Sequence, residues 1–116
     1  MSQKLNDVVK KIIERTVRNF LDIYILFNLK EANYLSGYDI LTGINEQYRI
    51  LVSPGTVYNV LYKLERDGLI ESQESFGKRT YKITENGRRK IESITRSRLT
   101  ILNLFTQIIN SPQQTK

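Results

Sequence analysis

Along this chain, apolar residues recur at the helical period in four blocks and switch to a period of two in one short stretch. Met1 to Lys30 carries Leu5, Val8, Val9, Ile12, Ile13, Phe20, Ile23, Tyr24 and Phe27 through a polar stretch from Lys10 to Asn19. The pattern predicts one long helix, or two joined near Arg15 to Arg18. Its first turns either pack within the chain or meet a second subunit. Glu31 to Leu35 breaks the pattern, and Ser36 can cap a second helix running to Gln47. Ile40, Leu41 and Ile44 are its inward residues, while Gly43 points to a close approach between helices. Tyr48 to Val52 is a short connector.

The third block carries both of its own boundaries. Ser53 can cap it, Pro54 suits the first helical position, and Gly68 supplies a left-handed stop. Val57, Val60, Leu61 and Leu64 form one apolar stripe, so Thr56, Asn59, Tyr62, Lys63 and Arg66 are left on the opposite side. That side mixes hydrogen-bonding groups, an aromatic ring and two cations with no acid at its centre. It suits a nucleic-acid groove, or is an ordinary solvated helix surface. After Gly68, Leu69, Ile70 and the run from Glu71 to Ser75 read as a strand. Phe76-Gly77-Lys78 reads as a turn, and Arg79 to Ile83 as a returning strand with Tyr81 and Ile83 inward. Thr84 can cap a last helix whose apolar positions run from Ile91 to Ile109, a stripe wider than one buried face requires. Pro112 ends it, and Gln113 to Lys116 reads as a frayed tail.

Composition narrows the chemistry. With 116 residues the chain fits a single domain whose core gains from a partner subunit. A net charge of +6 favours a polyanionic partner. The absence of cysteine and histidine removes disulfides, thiolate nucleophiles, imidazole bases and the common zinc sites together. Asp39, Glu46 and Glu65 are scattered over helix surfaces as solvated charges, so neither an enzyme nor a cofactor or metal site is expected. No apolar run is long enough for a membrane span, and no leader pattern precedes Lys11; the chain reads as soluble and cytoplasmic, with no membrane partner.

A helix, a brief connection and a second well-capped helix with polar residues outward is the order of a helix-turn-helix. A basic hairpin directly behind it reads as a wing. Four landmarks occur in sequence: Gly37-Tyr38, Ser53-Pro54-Gly55-Thr56 with Tyr58, Leu64-Glu65 to Asp67-Gly68-Leu69-Ile70, and Gly77-Lys78-Arg79 through Tyr81-Lys82-Ile83-Thr84 to Gly87. On these residues the chain resembles the PadR family of winged-helix transcriptional regulators. The resemblance is clear from about Gly37 to Gly87. The flanking helices match in character, as in the family's short form with a single C-terminal helix.

The expected fold is mainly α with a small β-hairpin. It is a single domain over 1–116, with a winged helix-turn-helix core over 16–83 and a C-terminal dimerisation helix over 84–111. The resemblance implies a homodimer in which that helix packs on the partner's N-terminal helix. Two recognition helices, 53–67, would then enter successive major grooves of double-stranded DNA at a palindromic operator, with half-sites about 34–36 Å apart. It carries over Ser53, Thr56, Tyr58, Asn59 and Lys63 on the recognition helix, and Lys78 and Arg79 on the wing, 76–79. Ser53, Tyr58 and Lys63 would hold phosphates, Thr56 and Asn59 would read base edges, and Lys78 and Arg79 would meet the backbone or minor groove. The function so expected is a repressor that occludes a promoter, its sign resting on analogy.

A rival of another class is a winged-helix protein-interaction module in a transcription or replication assembly, which predicts weak, non-specific DNA binding. Some members of the family hold flat aromatic ligands between tryptophans at the dimer interface. This chain has no tryptophan. A small-molecule effector, if one is used, would have Tyr24, Phe27, Tyr34 and Phe105 as candidate aromatic lining.

Overall fold

Ser36, Ser53 and Thr84 all stand at helix starts with extended backbone and a hydroxyl that accepts from the amide three residues on. The distances are 3.0 Å to Asp39 N, 3.1 Å to Thr56 N and 3.1 Å to Gly87 N. Each cap satisfies an amide that the helix itself leaves orphaned. The structure, a computed structural model, describes residues 3–32 and 34–110. Within them the order is α1 (Gln3–Asn19), α2 (Leu21–Glu31), β1 (Leu35–Ser36), α3 (Gly37–Tyr48), α4 (Pro54–Arg66), β2 (Ile70–Ser75), β3 (Lys78–Ile83), α5 (Glu85–Arg96) and α6 (Arg98–Ile109). The stop at Pro112 and the tail beyond it lie outside the described residues.

The N-terminal block is two helices, and their joint falls at Phe20, just past the expected region. Helical hydrogen bonds run across it, from Phe20 N to Thr16 O and from Tyr24 N to Phe20 O, both 3.0 Å, so the joint is a bend and not a loop. Leu21, Ile25, Leu26 and Leu29 of α2 are buried, and α2 packs on α4, α5 and β3. Ile40 and Ile44 of α3, Val57, Leu61 and Leu64 of α4, Ile91 of α5 and Ile50 and Val52 of the connector complete the core with the sheet's Ile70, Tyr81 and Ile83. Leu41 and Val60 pack at its margin, less deeply than their place in the apolar pattern implies.

Gly68 stops α4 as the sequence predicts, with φ of +75°. Leu69 N reaches back to Leu64 O at 2.9 Å and Gly68 N to Glu65 O at 3.0 Å, the paired bonds of a Schellman closure. The hairpin that follows gains a third strand which its own pattern does not announce. β1, two residues long, pairs antiparallel with β3 through Leu35 opposite Tyr81, giving the order β1-β3-β2. The turn is also tighter than expected. Ser75 pairs with Lys78, which leaves only Phe76 and Gly77, both at positive φ, and puts Lys78 in the strand. This is the two-residue connection whose twist matches that of the strands it joins.

The C-terminal block, read as one helix over 84–111, is interrupted at Ser97. Ser97 N is shared between Ser93 O and Ile94 O at 3.1 Å, and the helix resumes with Ile101 N on Ser97 O at 3.0 Å. The interruption falls in the polar run Thr95-Arg96-Ser97-Arg98, whose threonine and serine are poorer helix formers than the flanking residues and which no core contact straightens. Beyond it α6 has no buried residue.

Gly87 shows why Thr84 is followed by glycine at the third position. A Cβ there would stand 2.2 Å from the Leu69 carbonyl oxygen, which itself accepts from Thr84 N at 3.1 Å. At Gly55 the nearest atom to a Cβ would be Ser53 Oγ at 4.0 Å. Gly87→Ala is therefore expected to lower the unfolding free energy by about 1–3 kcal/mol, while Gly55→Ala is neutral or stabilising by up to about 1 kcal/mol. Urea titration of both variants measures this, and equal losses at the two positions would contradict the packing described.

Candidate nucleic-acid interface

The cap that starts α4 also arranges its first turn. Ser53 Oγ accepts from Thr56 N and lies 2.8 Å from Thr56 Oγ1, so the two hydroxyls form one unit at the helix mouth. Pro54 occupies the first turn without wasting an amide. With Val57, Leu61 and Leu64 buried, the helical period turns Asn59, Tyr62, Lys63 and Arg66 to the surface. Tyr62 is 67% exposed, too open to be a core residue. Asn59, Tyr62 and Lys63 spend no side-chain hydrogen bond or ion pair on other described residues, which leaves their polar groups free for a ligand. Arg66 lies 3.4 Å from Asp67, an exposed and weak pair.

Tyr58 has a second task. Its ring lies over the first residue of α3, so closely that a Cβ on Gly37 would fall 2.5 Å from the ring carbons. Glycine at 37 and tyrosine at 58 are one packing unit joining the starts of α3 and α4. The residue is about half exposed at that junction. α3 is held there by a reciprocal cap, Asp39 N donating to Ser36 Oγ and Ser36 N to Asp39 Oδ2, both 3.0 Å. The Ser36 amide, foremost, holds the Asp39 carboxyl below its ordinary value, with a smaller contribution from the charge of Lys78.

The structure thus gathers Thr56, Tyr58, Asn59 and Lys63 on α4 with Ser53 at its cap, and leaves Lys78 exposed at the first position of β3. Arg79 is turned elsewhere. Its Nη2 donates to Ser72 Oγ at 2.9 Å and lies 3.4 Å from Glu65 Oε1, and its guanidinium sits 6.0 Å from the centre of the Tyr81 ring. Three features of this region escape the sequence pattern. Glu65 and Ser72 take part through pairings that no local spacing reveals. Arg18 and Lys90, from α1 and α5, line the same cleft as Lys63 and Arg66. Phe76, at the tip of the wing, is fully exposed at 105% and has φ of +54°.

A separate groove of about 760 Å³ opens along α1, α2 and the end of α3. Tyr24 and Phe27 line it, together with Phe20 and Tyr48, whereas Tyr34 and Phe105 do not. Tyr24 meets Tyr48 edge to face at 5.8 Å, and Phe105 meets Phe20 in the same manner at 6.1 Å. Tyr34 is an exposed residue at positive φ. Among the described residues no group of three His, Cys, Asp or Glu side chains could hold a metal ion, and no helix is long and apolar enough to cross a membrane.

The left-handed region is unfavourable for a bulky residue, and this phenyl ring buries nothing in return. Phe76→Asn is expected to raise the unfolding free energy by about 0.5–1 kcal/mol, since asparagine tolerates that backbone region. Thermal melting of the two proteins tests it, and a lower midpoint for the asparagine variant would mean that the ring contributes packing not apparent in the fold.

Comparison with known proteins agrees with this fold. The model of the transcriptional regulator PadR-like family matches residues 25–93, from α2 through most of α5. A PadR family transcriptional regulator from Eggerthella lenta superposes with a TM-score of 0.73 at 18% identity, covering 95% of this chain and 99% of that one. A PadR family regulator from hypervirulent Clostridium difficile gives 0.67 at 25% identity over 78% of this chain and 99% of its own. A mutant of S. aureus MepR bound to an oligodeoxyribonucleotide gives 0.57 at 18% identity, covering 97% and 86%. No curated protein matches the chain.

Proposed function

The chain belongs to the transcriptional regulator PadR-like family, and from that premise we propose that it is a homodimeric repressor that binds a palindromic operator in double-stranded DNA. The observation that carries this is the outer face of α4. One capped helix presents hydroxyls, an amide and a cation to solvent, fixed by a stripe buried on its other side. The superposed MepR mutant bound to an oligodeoxyribonucleotide supports a nucleic-acid partner for this architecture. In the proposed complex α4 enters the major groove. Asn59 and Thr56 read base edges, an asparagine amide being able to pair with adenine through two hydrogen bonds. Ser53, Tyr58 and Lys63 take phosphates, which set the register without reading sequence. Lys78 meets the backbone beside the minor groove.

Support for the dimer comes from what the single chain leaves uncovered. Leu99, Leu102, Leu104, Ile108 and Ile109 of α6 are exposed, as are Val8, Val9 and Ile12 of α1. An apolar surface of this extent calls for a partner. We assign it to a two-fold pairing of α6 with the partner's α1, which would set two recognition helices one turn of DNA apart.

Selection of duplexes from a random-sequence pool by the pure protein tests the reading. A recovered palindrome bound about a thousandfold or more tighter than random DNA, by two chains, is the expected result. Equal weak binding to all duplexes would instead favour a protein-interaction role. On the selected duplex, Asn59→Ala should cost about 1–3 kcal/mol and relax one base preference. Lys78→Ala should weaken binding to every sequence and lower the salt slope by about 0.9. Ile108→Glu, a charge on the uncovered face of α6, should give monomers in sedimentation and at least about a hundredfold weaker operator binding, with helicity retained.

A further inference from the structure

Arg79 has the composition of a wing contact and the geometry of something else. It belongs to a closed set of polar contacts that ties β2 and β3 to the recognition helix. Ser72 Oγ of β2 donates to Glu65 Oε2 of α4 at 2.6 Å. Arg79 Nη2 of β3 donates to that same Ser72 oxygen at 2.9 Å and faces Glu65 Oε1 at 3.4 Å. The guanidinium meanwhile flanks the ring of Tyr81, which is buried and opposite Ser72 across the strands. The carboxylate is two-thirds buried. Each of its oxygens is directed at the wing.

We propose that Arg79 and Glu65 are positioning residues for DNA recognition: a clamp, bridged by Ser72, that fixes the angle of the wing to α4 while Lys78 makes the contact. The proposal rests on the DNA-binding reading above. An acid on the recognition helix repels phosphate, so electrostatics alone makes Glu65 unfavourable in that role. Its orientation toward Ser72 and Arg79 supplies the compensating task, since a wing held in its bound position loses less freedom on docking. With Arg79 half exposed and 3.4 Å from the carboxylate, the ion pair adds little to folding stability, so the clamp acts on recognition more than on stability.

Four proteins separate the possibilities: the wild type, Glu65→Gln, Arg79→Ala and the double variant, each with the duplex selected by the wild type and a random duplex. The clamp predicts that Glu65→Gln binds the selected duplex about tenfold more weakly, although it removes a negative charge from a DNA-facing helix. It predicts a similar loss for Arg79→Ala at an unchanged salt slope, and a double variant no weaker than the singles, because both remove one interaction. Tighter binding by Glu65→Gln, or a slope lower by about 0.9 in Arg79→Ala, would make Arg79 a phosphate contact and overturn the clamp.

A readout without DNA keeps the clamp testable apart from the operator. Backbone order parameters for Gln73 to Thr80 should fall in both single variants, with little change in the unfolding midpoint; unchanged values would overturn the clamp. Failure of the wild type to prefer any duplex would count against the regulator reading alone.

Discussion

Val57, Leu61 and Leu64 are driven into the core shared with α2, α3 and the sheet because α4 has no other apolar face, and that one-sided burial decides what the rest of the helix can do. Rotating α4 by a quarter turn would drown Lys63 and expose Leu61, so its outer face is as fixed as the core itself. The serine cap and the glycine closure then determine where the face begins and ends. The sheet completes the frame. Tyr81 and Ile83 bury the hairpin's inner side beneath the same helices, so the wing is anchored by the core that orients α4.

The parts of the chain outside this frame behave differently. Among the described residues α1 contributes only Val17 to the margin of the core, and α6 contributes no buried residue, though it is among the most apolar segments. An apolar helix without a place in its own core is stable in water only when another surface covers it. The bends at Phe20 and Ser97 lie where each of these helices leaves the core, and Phe20 touches Phe105 across the gap. A long helix bends where its neighbours stop constraining it. The arrangement therefore divides into a head whose geometry is complete in one chain and a pair of arms that its own core leaves uncovered, the surface that the proposed dimer would close.

Caps and stripes made most of the head legible in advance. Ser36, Ser53, Thr84 and Gly68 are local signals, each acting within four residues, and all four stand where their chemistry predicts. The inward Tyr81 and Ile83 were equally plain, because strand alternation is local too. What the pattern missed is non-local or weakly encoded. β1 is only Leu35 and Ser36, too short for any period, and exists because β3 offers it an edge. The pattern predicts a turn one residue too long because phenylalanine is a poor signal for a left-handed position that asparagine or glycine usually fills. The bend at Ser97 was hidden by an apolar period that continues through it. In the site, α4 was readable as a face, whereas the direction of Arg79 depends on Glu65, fourteen positions away and on another element.

That last dependence bears on how a small basic domain reaches specificity. At a net charge of +6, attraction to any DNA comes easily and discriminates poorly. Selectivity needs groups whose position, not charge, is controlled, and position is costly for a two-stranded ribbon projecting from a small head. On the proposed reading, setting one arginine against one carboxylate would give up a unit of phosphate attraction to obtain a defined angle between wing and helix. For a protein already rich in cations, the lost attraction would be the smaller sacrifice, since in the proposed complex Lys63 and Lys78 would still supply it.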